Sequence, residues 1–214
     1  MKLLNLILVA LLLNAGVAFA QERFVALEQK FAQQPGFSAS FTQTNYNQFK
    51  NKTTLLKGTV KWLRPGLARF EYTSPDPLLL VLGQEKVWIF DPLLENVTVE
   101  PRESVQRVEA LAFLFGSQKL RSLFTPIWKP TYHSKNQGAG WVYLKPKTPT
   151  PGLAELHLLP GGSLISGFLM FDGEGNWRRF DLEENASNKP PVTTDFIFHI
   201  PEGMEVIDKL RVAH

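Results

Sequence analysis

The sequence predicts a mainly β fold, in which one antiparallel sheet, strongly curled or approaching a barrel, is covered by helices. Three observations support this fold class. About ten segments of strand length are alternately apolar and polar, or apolar throughout. Turn residues separate them at distances that suit hairpin links. Helical spacing appears before the first strand and again in the middle of the chain, and a sheet with this many strands has to curl.

The hairpin Gly58–Tyr72 is the clearest element. Its first strand places Val60 and Trp62 on one face, and after the Pro65-Gly66 turn its second strand alternates Ala68, Phe70 and Tyr72 with Arg69 and Glu71. The hairpin therefore has one apolar face. Arg64, a permanently charged side chain with five N–H donors, stands beside the turn proline at the end of that face.

The first twenty residues resemble a secretory signal peptide. Lys2 precedes an apolar run over residues 3–17, and Ala18-Phe19-Ala20 has the small-x-small pattern of a cleavage site. We expect cleavage after Ala20, residues 21–214 forming a single domain, and a location outside the cytoplasm. The chain contains no cysteine, so it lacks the residue that bacterial lipoproteins acylate, and disulfides do not stabilise it.

The remaining strands follow from alternation and turn residues. They are predicted at residues 37–46, 78–82, 86–91, 96–100, 127–133, 140–144, 154–159, 164–171, 176–182 and 193–200. The run Leu78–Leu82 is apolar at every position, which indicates that both of its faces are covered.

Helices are predicted in three segments. Phe24, Leu27 and Phe31 recur at helical spacing within residues 21–34, and Pro35-Gly36 ends that segment. The period is again helical over residues 103–115, and a short helix is expected at residues 118–124. These helices should cover a face or an opening of the sheet.

The sequence does not indicate an enzyme, a cofactor or a metal site. The four histidines, at positions 133, 157, 199 and 214, stand alone, and no nucleophile elbow, zinc motif or phosphate-binding loop accompanies them. The segment Asp172–Asn176 has part of a calcium-loop pattern, but Trp177 stands where the loop needs glycine, so a hairpin turn is predicted. The interspersed charges do not predict nucleic-acid binding.

Apolar surface is the candidate functional feature. The chain has 16 Phe, 5 Trp and 4 Tyr, and the segment 103–115 is apolar around most of its circumference. Each aromatic residue taken singly is compatible with an ordinary core, but as a set these residues favour a cavity beneath a helical lid. The candidate lining residues are Val60, Trp62, Phe70, Tyr72, Leu79, Val81, Trp88, Phe90, Leu111, Phe113 and Leu114.

Several motifs together resemble the periplasmic lipoprotein carrier family LolA. They are Phe41-Thr-Gln43, Gly58, Arg64-Pro65, Phe70-x-Tyr72-x-x-Pro75, Gly83-x-x-x-Val-Trp88-x-Phe90-Asp-Pro92 and the C-terminal Phe196-x-Phe198-x-Ile-Pro-x-Gly-x-x-Val-Ile-Asp208. The resemblance covers nearly all of residues 21–214 and rests on the order and spacing of these motifs. It implies an unclosed antiparallel β-barrel with a helical lid.

The resemblance also implies a function. Such a carrier accepts triacylated lipoproteins from an inner-membrane ABC exporter, shields their acyl chains and delivers them to an outer-membrane receptor. Arg64 matches the arginine that holds the lid through backbone carbonyls of the lid helices. Ala68 departs from the pattern, because a bulkier residue is common there, and this bears on the surface that hands over cargo. A monomer is expected.

Two alternatives of other classes remain open from the sequence. One is a carrier for a glycolipid or another lipid in a specialised export system. The other is a periplasmic lipid hydrolase, in which a histidine would have to meet an acid and a Ser or Thr in the folded chain.

Overall fold

The computed structural model describes residues 2–102, 119–134, 137–184 and 190–210, with side chains from residue 16 onward. The described residues form one sheet of 12 strands, together with helices that cover it. This confirms the predicted mainly β fold.

The first helix, α1 (Lys2–Gln33), contains the predicted helix and ends just before Pro35. Phe24, Leu27 and Phe31 are buried at 2% exposure each, as their helical spacing predicted. Within the described part of the chain, no helix is both long enough and apolar enough to cross a membrane.

The sheet is antiparallel except at one edge, where the last strand pairs in parallel with β6. Its order is β12-β6-β5-β4-β3-β2-β1-β11-β10-β9-β8-β7, and the two outermost strands are not paired with each other, so the barrel is unclosed. The strands are β1 (Gly36–Asn47), β2 (Lys52–Leu63), β3 (Leu67–Ser74), β4 (Leu78–Leu82), β5 (Lys86–Asp91), β6 (Asn96–Pro101), β7 (Phe124–Ile127), β8 (Val142–Pro146), β9 (Glu155–Gly161), β10 (Leu164–Phe171), β11 (Trp177–Glu184) and β12 (Glu205–Asp208).

Two predicted strands are wrong. The strand expected at residues 127–133 is instead β7, which ends at Ile127, and the backbone N–H groups of Thr131 and Tyr132 donate to the Glu155 carboxylate rather than to a neighbouring strand. The strand expected at residues 193–200 begins as a 3-10 turn (Thr193–Phe196), because Asp195 accepts the Val192 N–H at 2.9 Å.

The predicted central helices are only partly described. The short helix expected at residues 118–124 is α2 (Leu120–Leu123). The helix expected at residues 103–115 lies outside the described residues.

The sheet has two apolar faces. We call the face that packs against α1 the inner face; its buried cluster includes Phe37, Val60, Trp62 and Phe70 together with the three buried α1 side chains. A separate cluster of Trp141, Leu169 and Phe171 lies on the opposite, outer face.

The antiparallel order also gives the sheet two ends. The helix end holds the β2–β3 turn beside the end of α1, and the far end holds the β1–β2 and β10–β11 turns.

Gly58 permits the close approach of β2 and β3, whose register shifts between Lys57 and Gly58. A Cβ at this position would overlap the Glu71 carbonyl oxygen and lie 2.8 Å from the Phe41 ring. We expect Gly58→Ala to lower the free energy of unfolding by roughly 1 to 3 kcal/mol, measured by urea denaturation. The control is Gly138→Ala, since a Cβ there meets nothing within 4 Å. Equal stability of the two variants would contradict this account of the bulge.

Candidate functional site

The inner face of β1–β3 carries four of the predicted lining residues. Val60, Trp62 and Phe70 are buried at 1% to 3% exposure, and Tyr72 is half-buried against them. The Trp62 ring stacks on Phe37 with 4.6 Å between centroids. These residues therefore form one continuous apolar surface beneath α1.

The strand register extends this surface across β4 and β5. Phe70 pairs with Leu80, and Leu80 pairs with Ile89, so the three side chains share a face. Leu80 and Ile89 are only partly buried, whereas Leu82 and Val87 beside them are fully buried. The lining predicted from the sequence does not include these four positions, although counting the strand register outward from Phe70 finds them.

Leu79, Val81, Trp88 and Phe90 lie on the outer face, contrary to the expectation that they share a lining with Phe70. Val81 pairs with Trp88 and Leu79 pairs with Phe90, at positions that alternate with those of Leu80 and Ile89. The C-terminal segment packs against two of them: the Phe198 ring lies 5.9 Å from that of Phe90 and 6.4 Å from that of Trp88. On β4, Val81 is buried on the outer face and Leu82 on the inner face, so both faces of this strand are covered near its end, which agrees with its apolar sequence.

Leu111, Phe113 and Leu114, the lining residues expected from the central helix, lie outside the described residues.

Arg64 fastens the end of α1 to the sheet. Its Nη1 donates to the carbonyl of Phe31, which lies in the last turn of α1, and its guanidinium lies 5.5 Å from the Phe31 ring centroid. Carbonyls in the last turn of a helix lack intrahelical partners and favour a cation. Burial lowers the pKa of Arg64. The contact belongs to α1, and the central helix that the resemblance implied as a partner is not described.

A second link joins α1 to α2. The buried Glu28 carboxylate accepts a hydrogen bond from the backbone N–H of Arg121 at 3.1 Å and pairs with the Arg121 guanidinium. The side-chain hydrogen bond from Arg121 is the main reason that the pKa of Glu28 is lowered. A cavity of about 210 Å³ lies between this pair and Arg64. The end of α1 is therefore held at both sides of a small cavity.

Polar groups lie on the inner face toward the far end. The Tyr72 hydroxyl donates to Gln43 Oε1 at 3.0 Å, and the Gln43 amide donates to Asn45 Oδ1 at 2.8 Å. Burial raises the pKa of Tyr72 to about 12, so the phenol remains a donor at neutral pH. The continuous apolar surface thus gives way to polar groups at this row.

His157 meets an acid, but not in the arrangement that hydrolysis requires. Its Nε2 lies 3.1 Å from Glu155 Oε2, and its Nδ1 lies 2.6 Å from the Gln137 amide nitrogen. The ring is fully buried, and an amide stands where a Ser or Thr hydroxyl would be needed. Glu155 also accepts the Thr131 N–H. The pair therefore anchors the segment after β7 to the outer face, and the geometry does not favour the hydrolase alternative.

This buried histidine predicts a pH dependence of stability. Burial lowers the pKa of His157 below the value of 6.5 expected in the unfolded chain. Between the two pKa values the unfolded state binds more protons, so the free energy of unfolding falls as the pH decreases below about 6.5, by at most about 1.4 kcal/mol per pH unit. Urea denaturation between about pH 7.5 and 5.5 should show this slope, and His157→Gln should flatten it.

Exposed His199 supplies the matched control. His199→Gln should retain the slope of the native chain. A slope that persists unchanged in His157→Gln would contradict the assignment to His157.

The segment Asp172–Asn176 is a hairpin turn, as predicted. Asp172 Oδ1 accepts the N–H groups of Glu174 and Asn176 at 2.8 and 3.2 Å. Among the residues that the structure describes, no group of three or more His, Cys, Asp or Glu side chains is placed to hold a metal ion.

The fold and this inner face define an open, helix-covered barrel, and comparisons with known proteins place the chain among such proteins. A family model described as outer membrane lipoprotein carrier protein LolA matches residues 32–199. The chain therefore belongs to the LolA family.

Individual relatives cover most of the chain. It is 31% identical over 196 residues to an outer-membrane lipoprotein carrier protein of Neisseria meningitidis serogroup C, covering 91% of this chain and 92% of the relative. It is 29% identical over 169 residues to a protein of the same name from Dechloromonas aromatica, covering 79% of each. An uncharacterized conserved protein from Thermus thermophilus has a similar fold, with a TM-score of 0.50, 14% identity and coverage of 89% of this chain and 99% of that one.

Proposed function

We propose that this protein is a periplasmic lipoprotein carrier that is exported with cleavage after Ala20. It receives triacylated lipoproteins from an inner-membrane ABC exporter and delivers them to an outer-membrane receptor, with no catalytic step. The observation that carries the proposal is the continuous apolar inner face beneath a fastened helix, in a chain of the LolA family. A monomer suffices for this function.

Acyl chains are held on the inner face in this proposal. The side chains of Tyr72, Leu80 and Ile89 are part-buried at the edge of the inner-face cluster, and Val60, Trp62 and Phe70 lie deeper. Leu111, Phe113 and Leu114 are proposed to close the region as a lid. Leu79, Val81, Trp88 and Phe90 no longer belong to the proposed lining, since the C-terminal segment packs on their face.

A carrier has to limit its own affinity. Burying an acyl chain of about fifteen carbons gains on the order of 12 kcal/mol at about 0.8 kcal/mol per CH₂, and several chains would bind almost irreversibly. Displacing α1 and the lid offsets part of this gain, because their contacts with the inner face are lost. Arg64 contributes to that cost through its bond to Phe31.

Native mass spectrometry of protein purified from a bacterial periplasm tests the proposal. The bound species is measured intact, released by denaturation and identified. Recovery of an acylated lipoprotein is the expected result. Recovery of a glycolipid or another small lipid would overturn the cargo assignment in favour of the first alternative, and absence of any bound lipid, together with failure to bind a fluorescent fatty-acyl probe, would overturn the carrier function.

A further inference from the structure

The β1–β2 turn presents an aromatic side chain to solvent at the far end of the sheet. Phe49 is 95% exposed. The turn is well defined: the Asn51 N–H donates to the Gln48 carbonyl at 3.3 Å, and the Lys50 N–H donates to Asn47 Oδ1 at 2.8 Å. The aromatic ring therefore stands at the tip of an ordered turn.

The neighbouring β10–β11 hairpin supports this tip. The Gln48 N–H donates to Asn176 Oδ1 at 2.8 Å, and the Asn176 amide donates in turn to Asp172. Tyr46 stacks on Trp177 with 5.6 Å between ring centroids and an angle of 24°. Since these contacts already order the tip, presenting Phe49 to a partner requires little further loss of conformational entropy.

The charges around Phe49 are mainly positive. Lys50 is exposed on the same turn and Lys52 is exposed at the start of β2, and with Arg178 they border a cavity of about 610 Å³ that opens at this end. Asp172 also borders the cavity and remains negatively charged while it accepts the N–H groups of its own turn. Glu174 is exposed on the adjacent turn.

We propose that this tip docks the protein on a bilayer surface that contains anionic phospholipid. Phe49 enters the interfacial region, where aromatic side chains are favoured, and Lys50 and Lys52 pair with the lipid phosphates. One ring and two lysines give weak, reversible binding. The inference goes beyond cargo binding and does not depend on it.

The β5–β6 turn also exposes apolar side chains, but the charges beside them are negative, unlike the lysines beside Phe49. Leu93 and Leu94 are 62% and 68% exposed there, but Asp91 and Glu95 flank them. Carboxylates are repelled by anionic lipid, so this turn is not expected to dock. It supplies the matched control.

Vesicle flotation of the exported protein, with its N-terminus checked by mass, tests the proposal. We expect binding to vesicles of phosphatidylcholine with phosphatidylglycerol, little binding to phosphatidylcholine alone, and loss of binding at high salt. Lys50→Gln with Lys52→Gln should weaken binding about 25-fold, at about fivefold per lysine. Phe49→Ser should weaken it about fivefold or more.

The control Leu94→Ser should bind like the native chain. The proposal is overturned if the native protein does not bind the anionic vesicles, if Phe49→Ser binds as well as the native protein, or if Leu94→Ser loses as much binding as Phe49→Ser. Because the assay uses no lipoprotein, its outcome is separate from that of the periplasmic cargo experiment.

Discussion

Leu80→Gln is expected to weaken binding of a fluorescent fatty-acyl probe by about 30-fold or more. Leu80 lies on the inner face between Phe70 and Ile89 and is only partly buried in the cargo-free chain. An acyl chain on this face would lose an apolar contact worth about 1.5 to 3 kcal/mol, and the glutamine amide would lose water without gaining a partner. The dissociation constant from a fluorescence titration gives the result.

The matched control for this substitution is Leu55→Gln. Leu55 lies on β2 and is 52% exposed, so the same chemical change there removes no contact with the inner face. Circular dichroism establishes that both variants remain folded. Equal probe affinities of folded Leu80→Gln and Leu55→Gln would remove Leu80 from the proposed site.

Arg64→Leu is expected to tighten cargo binding about tenfold or more and to slow transfer to an acceptor. In the cargo-free chain Arg64 donates to the Phe31 carbonyl and holds the end of α1 against the sheet. A hydrogen bond to a charged group contributes about 1.5 to 3 kcal/mol. If loading breaks this bond, the variant no longer loses that energy, so the loaded state becomes more favourable relative to the empty one.

Arg69→Leu controls for the loss of an arginine. Arg69 Nε pairs with Glu71 Oε1 at 2.5 Å on the outer face, away from α1. Its loss should leave both binding and transfer near native values, because exposed ion pairs contribute little. Transfer by Arg64→Leu at the native rate would show that the hydrogen bond from Arg64 to the Phe31 carbonyl does not set the free energy needed to displace α1.

The strands that alternate were predictable from the sequence, because a sheet with one buried face requires period two. Strand β10 has the predicted bounds and the hairpin turns at Pro65-Gly66 as predicted, but β2 begins at Lys52, six residues before the predicted Gly58. The face of Leu78–Leu82 was not predictable from its own residues, since both faces are covered. Phe196 and Phe198 also have period two, but they belong to a segment that packs across the outer face and joins the sheet only at Glu205–Asp208.

The long-range polar links could not be predicted from the sequence. Glu28 and Arg121 are 93 residues apart, and Glu155 meets Thr131 only because the chain turns back after β7. In the sequence each of these residues looks like an ordinary surface charge or loop residue. Arg64 was singled out by its place beside the hairpin turn, but its partner on α1 depends on how the helix docks.

Site-specific photocrosslinking at positions 89 and 88 determines which face of the sheet holds the acyl chains. Ile89 faces inward beside Leu80, whereas its neighbour Trp88 faces the C-terminal segment. A photoreactive phenylalanine at each position, in protein loaded with acylated lipoprotein, distinguishes the two faces of one strand. We expect crosslinks to the acyl chains from position 89 and not from position 88. Crosslinks mainly from position 88 would contradict this expectation and place the cargo on the outer face.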